Sequence, residues 1–166
     1  MHLQTSRSVT TAEFIEQLGL LLEAERFPRI AGRILGLLLA TPEALSLDEI
    51  ADALDVTKPS VSTNARLLED KGIIERIGLP GDRRDHYRAA PDVALRTLQA
   101  RVQKMRRLRD VLAVGREATR TGSRTVRDRF DDMVHAYDHV IASANRTMEE
   151  LPALLAAARI PKGKSR

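Results

Sequence analysis

The chain has 166 residues, with 27 Lys and Arg against 23 Asp and Glu, which is long enough for one domain with a core or for a small domain with appended helices. It contains no cysteine, which excludes disulfides, thiol catalysis and cysteine-ligated zinc or iron–sulfur sites. Its longest apolar run, residues 34–40, is far shorter than a membrane span, and its N-terminus lacks a signal-peptide core, so we expect a cytoplasmic protein without a membrane partner.

Two helices are predicted at the start of the chain. The first covers residues 11–25, with Thr10 or Thr11 as its N-cap. Its apolar residues recur at helical spacing: Phe14, Leu18, Leu21 and Leu22. The second begins at Pro28 and ends before Thr41, because the residue that precedes a proline disfavours the helical conformation.

A helix-turn-helix and a hairpin follow. Ser46 and Glu49 form a capping box, S-x-x-E, that opens a short helix. After a tight turn, Thr57 caps a second helix over residues 58–71, and Gly72 ends that helix in the left-handed conformation. A two-stranded β-wing comes next. This order of elements describes a winged helix-turn-helix, a module whose usual partner is duplex DNA.

The second helix carries the candidate base-reading residues. Small hydroxyl side chains let a helix sit deep in a major groove, while Lys and Arg reach phosphates or guanine edges. A face that served solubility alone would more often carry Glu and Lys. The residues that we predict to contact DNA are Thr57, Lys58, Ser60, Ser62, Thr63 and Arg66.

The hairpin carries the second set of candidate contacts. Strands at 73–77 and 86–89 flank the turn GLPGDRRD, which places Arg83 and Arg84 at or near its tip. Arginines beside a recognition helix suit the narrow minor groove or its flanking phosphates. The alternative is a solvated turn in which Asp82 and Asp85 pair with these arginines.

Two long helices, over about 92–117 and 123–158, complete the chain. Their apolar residues follow a 3,4 spacing, and long amphipathic helices beside a small domain usually bury such stripes against each other or against a second subunit. We expect them to form a homodimer; an intramolecular bundle is the alternative. The basic run 100–109 either extends the DNA contact or pairs with acidic residues of a neighbouring helix. We favour the pairing between helices.

The sequence gives little support for metal binding, for catalysis or for an aromatic ligand cage. His135 and His139 have a spacing that can hold a metal, but their helix face is predicted to be solvated, so we expect no metal and no cofactor. No phosphate loop or nucleophile–base pair is recognisable, and we expect no enzyme. The few aromatic residues do not favour a cage for quaternary ammonium ligands. An apolar cleft between the winged domain and the helical arms is the remaining place for a small-molecule effector, whose residues the sequence does not name.

The hairpin carries a family resemblance. It resembles the wing of MarR-type winged-helix regulators of bacteria, whose D-x-R motif is matched by Asp82 and Arg84. It is closer still to the GbsR-like branch, whose wing has the pattern P-G-(D/E)-R followed by a Tyr. The residues that match this pattern are Pro80, Gly81, Asp82, Arg83 and Tyr87. The resemblance extends over roughly residues 27–92, and it implies a homodimeric transcription factor, usually a repressor.

These observations predict a mainly α fold, a winged helix-turn-helix flanked by long dimerisation helices. We divide the chain into an N-terminal helical arm for dimerisation (1–26), a DNA-binding domain (27–91), C-terminal dimerisation helices (92–158) and a disordered basic tail (159–166). A homodimer predicts a near-palindromic operator, with the helix over 58–71 in the major groove and the wing over 78–85 at the minor groove or phosphates. A winged-helix module that docks proteins is the alternative function.

Overall fold

The structure is a computed structural model that describes residues 9–159, and side chains up to residue 158. Within this range it has six helices and three strands. In chain order they are α1 (Thr11–Ala24), α2 (Arg29–Ala40), β1 (Leu45–Ser46), α3 (Leu47–Leu54), α4 (Lys58–Asp70), β2 (Ile74–Gly78), β3 (Asp85–Ala89), α5 (Val93–Ala118) and α6 (Arg124–Arg159). The mainly α winged-helix prediction is confirmed. The chain divides into two compact units, Met1–Val93 and Ala94–Arg166.

In the first unit, α1 packs closely on α2. Thr10, one of the two predicted N-caps, caps α1, and Glu13 completes a capping box that the sequence analysis did not predict. The helices meet at Gly19 and Gly32, where a Cβ on Gly32 would lie 2.7 Å from the Gly19 Cα atom. Only glycine allows backbones to approach this closely. Ile15 fills the same interface and is buried.

The first unit has one hydrophobic core. Its centre consists of aliphatic side chains from α2, α3, α4 and β2 that are almost fully excluded from solvent: Ile34, Ile50, Val61, Leu68 and Ile74. Burial of a side chain of this size contributes about 1.5–3 kcal/mol relative to leaving it exposed. Because each of these residues lies on one face of its element, the core fixes the orientation of α4 and leaves its opposite face accessible.

The helix-turn-helix has the predicted local signals. Ser46 caps α3 and Glu49 completes the capping box. Asp55 forms the turn in the left-handed conformation (φ 51°). Thr57 occupies the N-cap position of α4, but its side chain makes no capping hydrogen bond. Gly72 follows α4 with φ 66°, the left-handed conformation that glycine adopts without steric cost.

The sheet has one strand more than the sequence predicts. β2 and β3 form the expected antiparallel wing, with Ile77 opposite His86. The additional strand, β1, pairs with the other edge of β3 and places Ser46 opposite His86 as well. A two-residue strand has no alternating pattern to detect, and Ser46 already serves as the cap of α3. The prediction of a two-stranded sheet was therefore incomplete.

The second unit consists of α5 and α6, which run antiparallel. Arg109 donates to Asp138 at 2.7 Å, and Arg106 donates to the side-chain oxygen of Asn145 at 2.8 Å. The expected pairing of the basic run with a neighbouring helix is thereby confirmed for Arg109. None of the helices among the described residues has the length and hydropathy to cross a membrane. The predicted tail, 159–166, lies outside the described residues apart from the backbone of Arg159.

Candidate nucleic-acid interface

The predicted base-reading residues lie on the accessible side of α4. Val61, Ala65 and Leu68 face the core, with 0% of their surface exposed. The remaining face is open to solvent to different degrees. Thr57, Lys58, Thr63 and Arg66 are exposed, and Ser60 and Ser62 are partly buried. The fold thus presents these six side chains together on and beside one helix.

Intramolecular contacts restrain some of these groups. The Lys58 ammonium lies 2.8 Å from a carboxylate oxygen of Asp48 on α3, with both side chains about half exposed (56% and 50%). The Thr63 hydroxyl donates to the Pro59 carbonyl at 3.0 Å. Among the described residues no ion pair involves Arg66. An exposed ion pair stabilises a fold by about 1 kcal/mol at most, so Lys58 can exchange Asp48 for a phosphate at little cost.

The two wing arginines differ in their surroundings. Arg84 is held by Asp82: its Nε and Nη2 atoms donate to the carboxylate at 3.0 and 2.6 Å, and its backbone N–H donates at 2.9 Å. These hydrogen bonds lower the pKa of Asp82 to about 2, and the Asp82 carboxylate raises the pKa of Arg84. Arg83 is exposed, and no ion pair within residues 9–158 involves it.

Asp85 contacts a residue that the sequence analysis missed. Arg76, on β2, lies 3.2 Å from Asp85 and 3.3 Å from Glu69 at the end of α4. The hydrogen bond to Asp85 raises the pKa of Arg76. The alternative interpretation, in which both wing acids pair with Arg83 and Arg84, is therefore right for Asp82 and Arg84, and wrong for Asp85. Strand alternation, which places Arg76 on the same face as Ile74, was the available signal.

A groove of about 410 Å³ lies between α4 and the sheet. Its walls combine two of the cations, Arg66 and Arg76, with the carboxylates of Glu69, Asp70 and Asp85. The groove therefore has mixed charge. Arg66 on the helix and Arg83 on the wing each lack an ion pair with any of the described residues.

A polar cluster lies at the base of the wing. The Ser46 hydroxyl donates to Glu49 at 2.6 Å, which lowers the pKa of Glu49. His86 is buried, with 3% of its surface exposed. Its Nδ1 atom is 3.0 Å from the Arg84 carbonyl oxygen, and its Nε2 atom is 3.5 Å from the Asp82 carboxylate. This cluster connects the cap of α3 to the wing.

The metal candidate has no further ligands nearby. His135 and His139 are both exposed on α6. Asp138, between them in sequence, accepts hydrogen bonds from Arg109, and these bonds lower its pKa. Within the part of the chain that the structure describes, no three His, Asp or Glu side chains are grouped closely enough to hold a metal ion.

Known proteins are similar to this chain in sequence. The MarR family profile matches residues 27–85. The chain is 41% identical over 107 residues to the HTH-type transcriptional regulator MmpR5 of Mycobacterium tuberculosis, which covers 64% of this chain and 65% of that protein. It is 29% identical over 79 residues to the putative HTH-type transcriptional regulator YvaV of Bacillus subtilis, which covers 48% of this chain. The chain spans 65% and 45% of the length of these two curated relatives.

One solved structure is similar over most of the chain. It is described as a transcriptional regulator, is 32% identical in sequence and superposes with a TM-score of 0.69. The match covers 86% of this chain and 98% of that one. The family profile spans the helix-turn-helix and the wing up to Asp85. The helix-turn-helix and wing of this chain, residues 27–85, are similar in sequence to the MarR family.

Proposed function

We propose that the protein is a transcriptional regulator that binds duplex DNA as a homodimer. In this proposal α4, continued to residue 71, enters the major groove and the wing over 78–85 lies at the minor groove or its phosphates. The observation that carries the proposal is the exposed face of α4: it combines small hydroxyl side chains with the unpaired Arg66, and the unpaired Arg83 stands on the adjacent wing. Two proteins similar to this chain support the proposal: MmpR5 is named an HTH-type transcriptional regulator, and YvaV a putative HTH-type transcriptional regulator.

The exposed apolar side chains of the second unit support a homodimer. In the single chain, Val111 and Val114 on α5 are 67% and 70% exposed, and Val140 on α6 is 47% exposed. Contiguous exposed apolar surface marks an interaction site, and a second copy of the chain is the partner that two-fold DNA sites require. A symmetric dimer binds half-sites whose centres are about 10 base pairs apart or a multiple of that spacing.

We further propose repression as the mode of action and the GbsR-like branch as the subfamily. The wing residues Pro80, Gly81, Asp82, Arg83 and Tyr87, which match the pattern of that branch, support the subfamily. A regulator of this kind acts on DNA in the bacterial cytoplasm, carries out no chemical reaction and needs no cofactor. A small-molecule effector is part of the proposal only as a ligand of unknown identity.

The test begins with selection of bound fragments from random or genomic DNA. Affinity for the selected site is then measured by fluorescence anisotropy over a salt series. Arg66→Ala is expected to weaken specific binding by about 10- to 100-fold, because a base contact by arginine is worth about 1–3 kcal/mol. Arg83→Ala is expected to weaken binding to all sequences and to reduce the salt dependence by about one phosphate contact.

Arg124→Ala is the control, since it removes another exposed arginine, at the start of α6. It should leave sequence selectivity unchanged. If the wild-type protein selects no DNA sequence even at low salt, the proposal fails and the protein-docking function takes its place.

A further inference from the structure

The buried histidine at the base of the wing has a definite tautomer. A carbonyl oxygen can only accept a hydrogen bond, so the 3.0 Å contact with the Arg84 carbonyl requires a proton on Nδ1 of His86. In a neutral imidazole the other nitrogen, Nε2, then has no proton. That nitrogen lies 3.5 Å from a carboxylate oxygen of Asp82, which is itself an acceptor. Neutral His86 therefore places two acceptors against each other, whereas an imidazolium would donate to both partners.

The surroundings of His86 contain few charges. On the flanking strands its neighbours in register are Ser46 of β1 and Ile77 of β2, and neither is ionisable at neutral pH. From α3, Glu49 interacts electrostatically with His86, and this interaction contributes to the lowered pKa of Glu49. From the wing, Asp82 faces the imidazole directly and Arg84 is the only described cation that shares that carboxylate. In the free protein the Asp82 carboxylate thus faces the buried imidazole, and Arg84 offsets its charge.

Arg84 and His86 use the same carboxylate. In the free protein Arg84 supplies most of the donors to Asp82, and these donors keep the pKa of Asp82 near 2. If Arg84 moves to a DNA phosphate, Asp82 loses those donors and remains ionised beside the negatively charged duplex. The nearest group that can replace the lost positive charge is the imidazole of His86.

We propose that His86 is a positioning residue of the wing, which takes up a proton when Arg84 exchanges Asp82 for DNA. The imidazolium donates through Nε2 to Asp82 and through Nδ1 to the Arg84 carbonyl, and so holds the wing in place while the arginine side chain extends. This inference depends on the proposed function, because it requires Arg84 to contact DNA. It adds proton uptake as a component of DNA binding.

The sign of the effect follows from linkage. A proton taken up on binding makes the affinity rise as pH falls, by at most tenfold per pH unit for one proton. Histidine changes its charge between about pH 5 and pH 8. We expect the affinity for the operator to be about three- to tenfold higher at pH 6 than at pH 8, beyond any change shown by a variant without this histidine.

The experiment measures operator affinity of the full chain from pH 6 to pH 8 at constant ionic strength. His86→Gln keeps a side-chain donor but cannot take up a proton, so its affinity should not show this pH dependence. Asp82→Asn tests the same link through the other partner, since an uncharged amide needs no compensating proton. The Asp82 side chain is partly exposed (28%) and lies outside the hydrophobic core, so this variant remains informative if His86→Gln fails to fold. His139→Gln removes an exposed histidine from α6 and should retain the wild-type profile.

The outcomes separate the two proposals. A pH dependence that is present in the wild type and in His139→Gln, and absent from His86→Gln and Asp82→Asn, supports the positioning role. Binding with the same pH dependence in all four proteins overturns that role and leaves the proposed function intact. A wild-type protein that binds no DNA at any pH overturns both.

Discussion

The two units of the chain differ in how completely they bury their apolar side chains. Residues 9–93 enclose a core in which Ile34 and Leu68 are 0% exposed. The helices beyond residue 93 bury Val102 and Val134, yet leave Val111 and Val114 mostly exposed. The first unit therefore has the burial that an independent fold requires. The second exposes Val111 and Val114, and a second copy of the chain that covers them would make its stability depend on concentration.

The largest effect is expected from a cavity in the first unit. Ile34→Ala should lower the free energy of unfolding by about 2–5 kcal/mol, because the lost methyl and methylene groups leave space that the packed core cannot fill. Denaturant unfolding followed by circular dichroism measures this change. Leu39→Ala is the control on the same helix: Leu39 is 46% exposed, and its loss should have a much smaller effect. Equal losses in the two variants would show that this core is not closely packed.

Negative charges introduced on the exposed face of α5 should weaken dimerisation. We expect the double change Val111→Glu and Val114→Glu to weaken the dimer by at least about 100-fold, because burying unpaired carboxylates costs several kcal/mol. Sedimentation should then give the mass of one 18.5 kDa chain where the wild type gives twice that mass. Gln103→Glu adds a charge at an exposed polar position of the same helix, and it should leave the dimer intact. A double variant that still sediments as the dimer would place the interface elsewhere.

Alanine substitutions of two helical glycines, one in each unit, should differ in their effect on stability. A Cβ on Gly32 would lie 2.7 Å from the backbone of both Gly19 and Leu18, so Gly32→Ala must push the helices apart and should cost about 1–3 kcal/mol. A Cβ on Gly115 would meet the ring of Phe130, a side chain that can rotate away. Since alanine also favours a helix interior by about 1 kcal/mol over glycine, Gly115→Ala should be nearly neutral. Thermal unfolding compares them, and a larger loss for Gly115→Ala would reverse this expectation.

The smallest effect concerns acid stability of the second unit. The hydrogen bonds from Arg109 lower the pKa of Asp138 below its usual value of 3.8. A carboxyl whose folded-state pKa is lowered stabilises the fold above its unfolded-state pKa, and this contribution disappears as pH falls through the folded-state value. Asp138→Asn should therefore be less stable than the wild type above about pH 4, with the difference closing in stronger acid. Asp132→Asn, at an exposed position on the same helix, should show no such convergence when unfolding midpoints are compared across pH.

The sequence predicted the elements with strong local signals. The capping box of Ser46 and Glu49 and the glycine after α4 each act within a few residues, so the pattern alone located them. β1 was missed because its two residues form a strand only through their pairing with β3. The buried face of α1 was only partly evident from its apolar spacing: Leu18 and Leu22 pack against the core, whereas Phe14 and Leu21 are exposed. The contact with α2 also uses Ile15 and a glycine.

The candidate site was predictable as a surface and not as a set of interactions. A helical repeat identifies which side chains of α4 face away from the core, and the structure agrees with that assignment. Ion pairs between elements, such as Lys58 with Asp48 and Arg76 with Asp85, depend on distances across the fold that no local pattern encodes. That Arg66 and Arg83 lack ion pairs became evident only when the neighbouring carboxylates had been placed. Their role in DNA contact remains a prediction.

The direct passage from β1 into α3 limits how the length of this chain can vary. Ser46 is the last residue of the strand and the cap of the helix, so no loop separates the two elements. One inserted residue would turn α3 by about 100° relative to the sheet, because a helix advances one turn in 3.6 residues. The wing turn has no such restriction, because the pairing of β2 with β3 ends at Gly78 and Asp85 and added residues beyond this pair lengthen the loop without changing the register. Insertions and deletions should therefore be tolerated at the wing tip and rejected at the strand–helix junction.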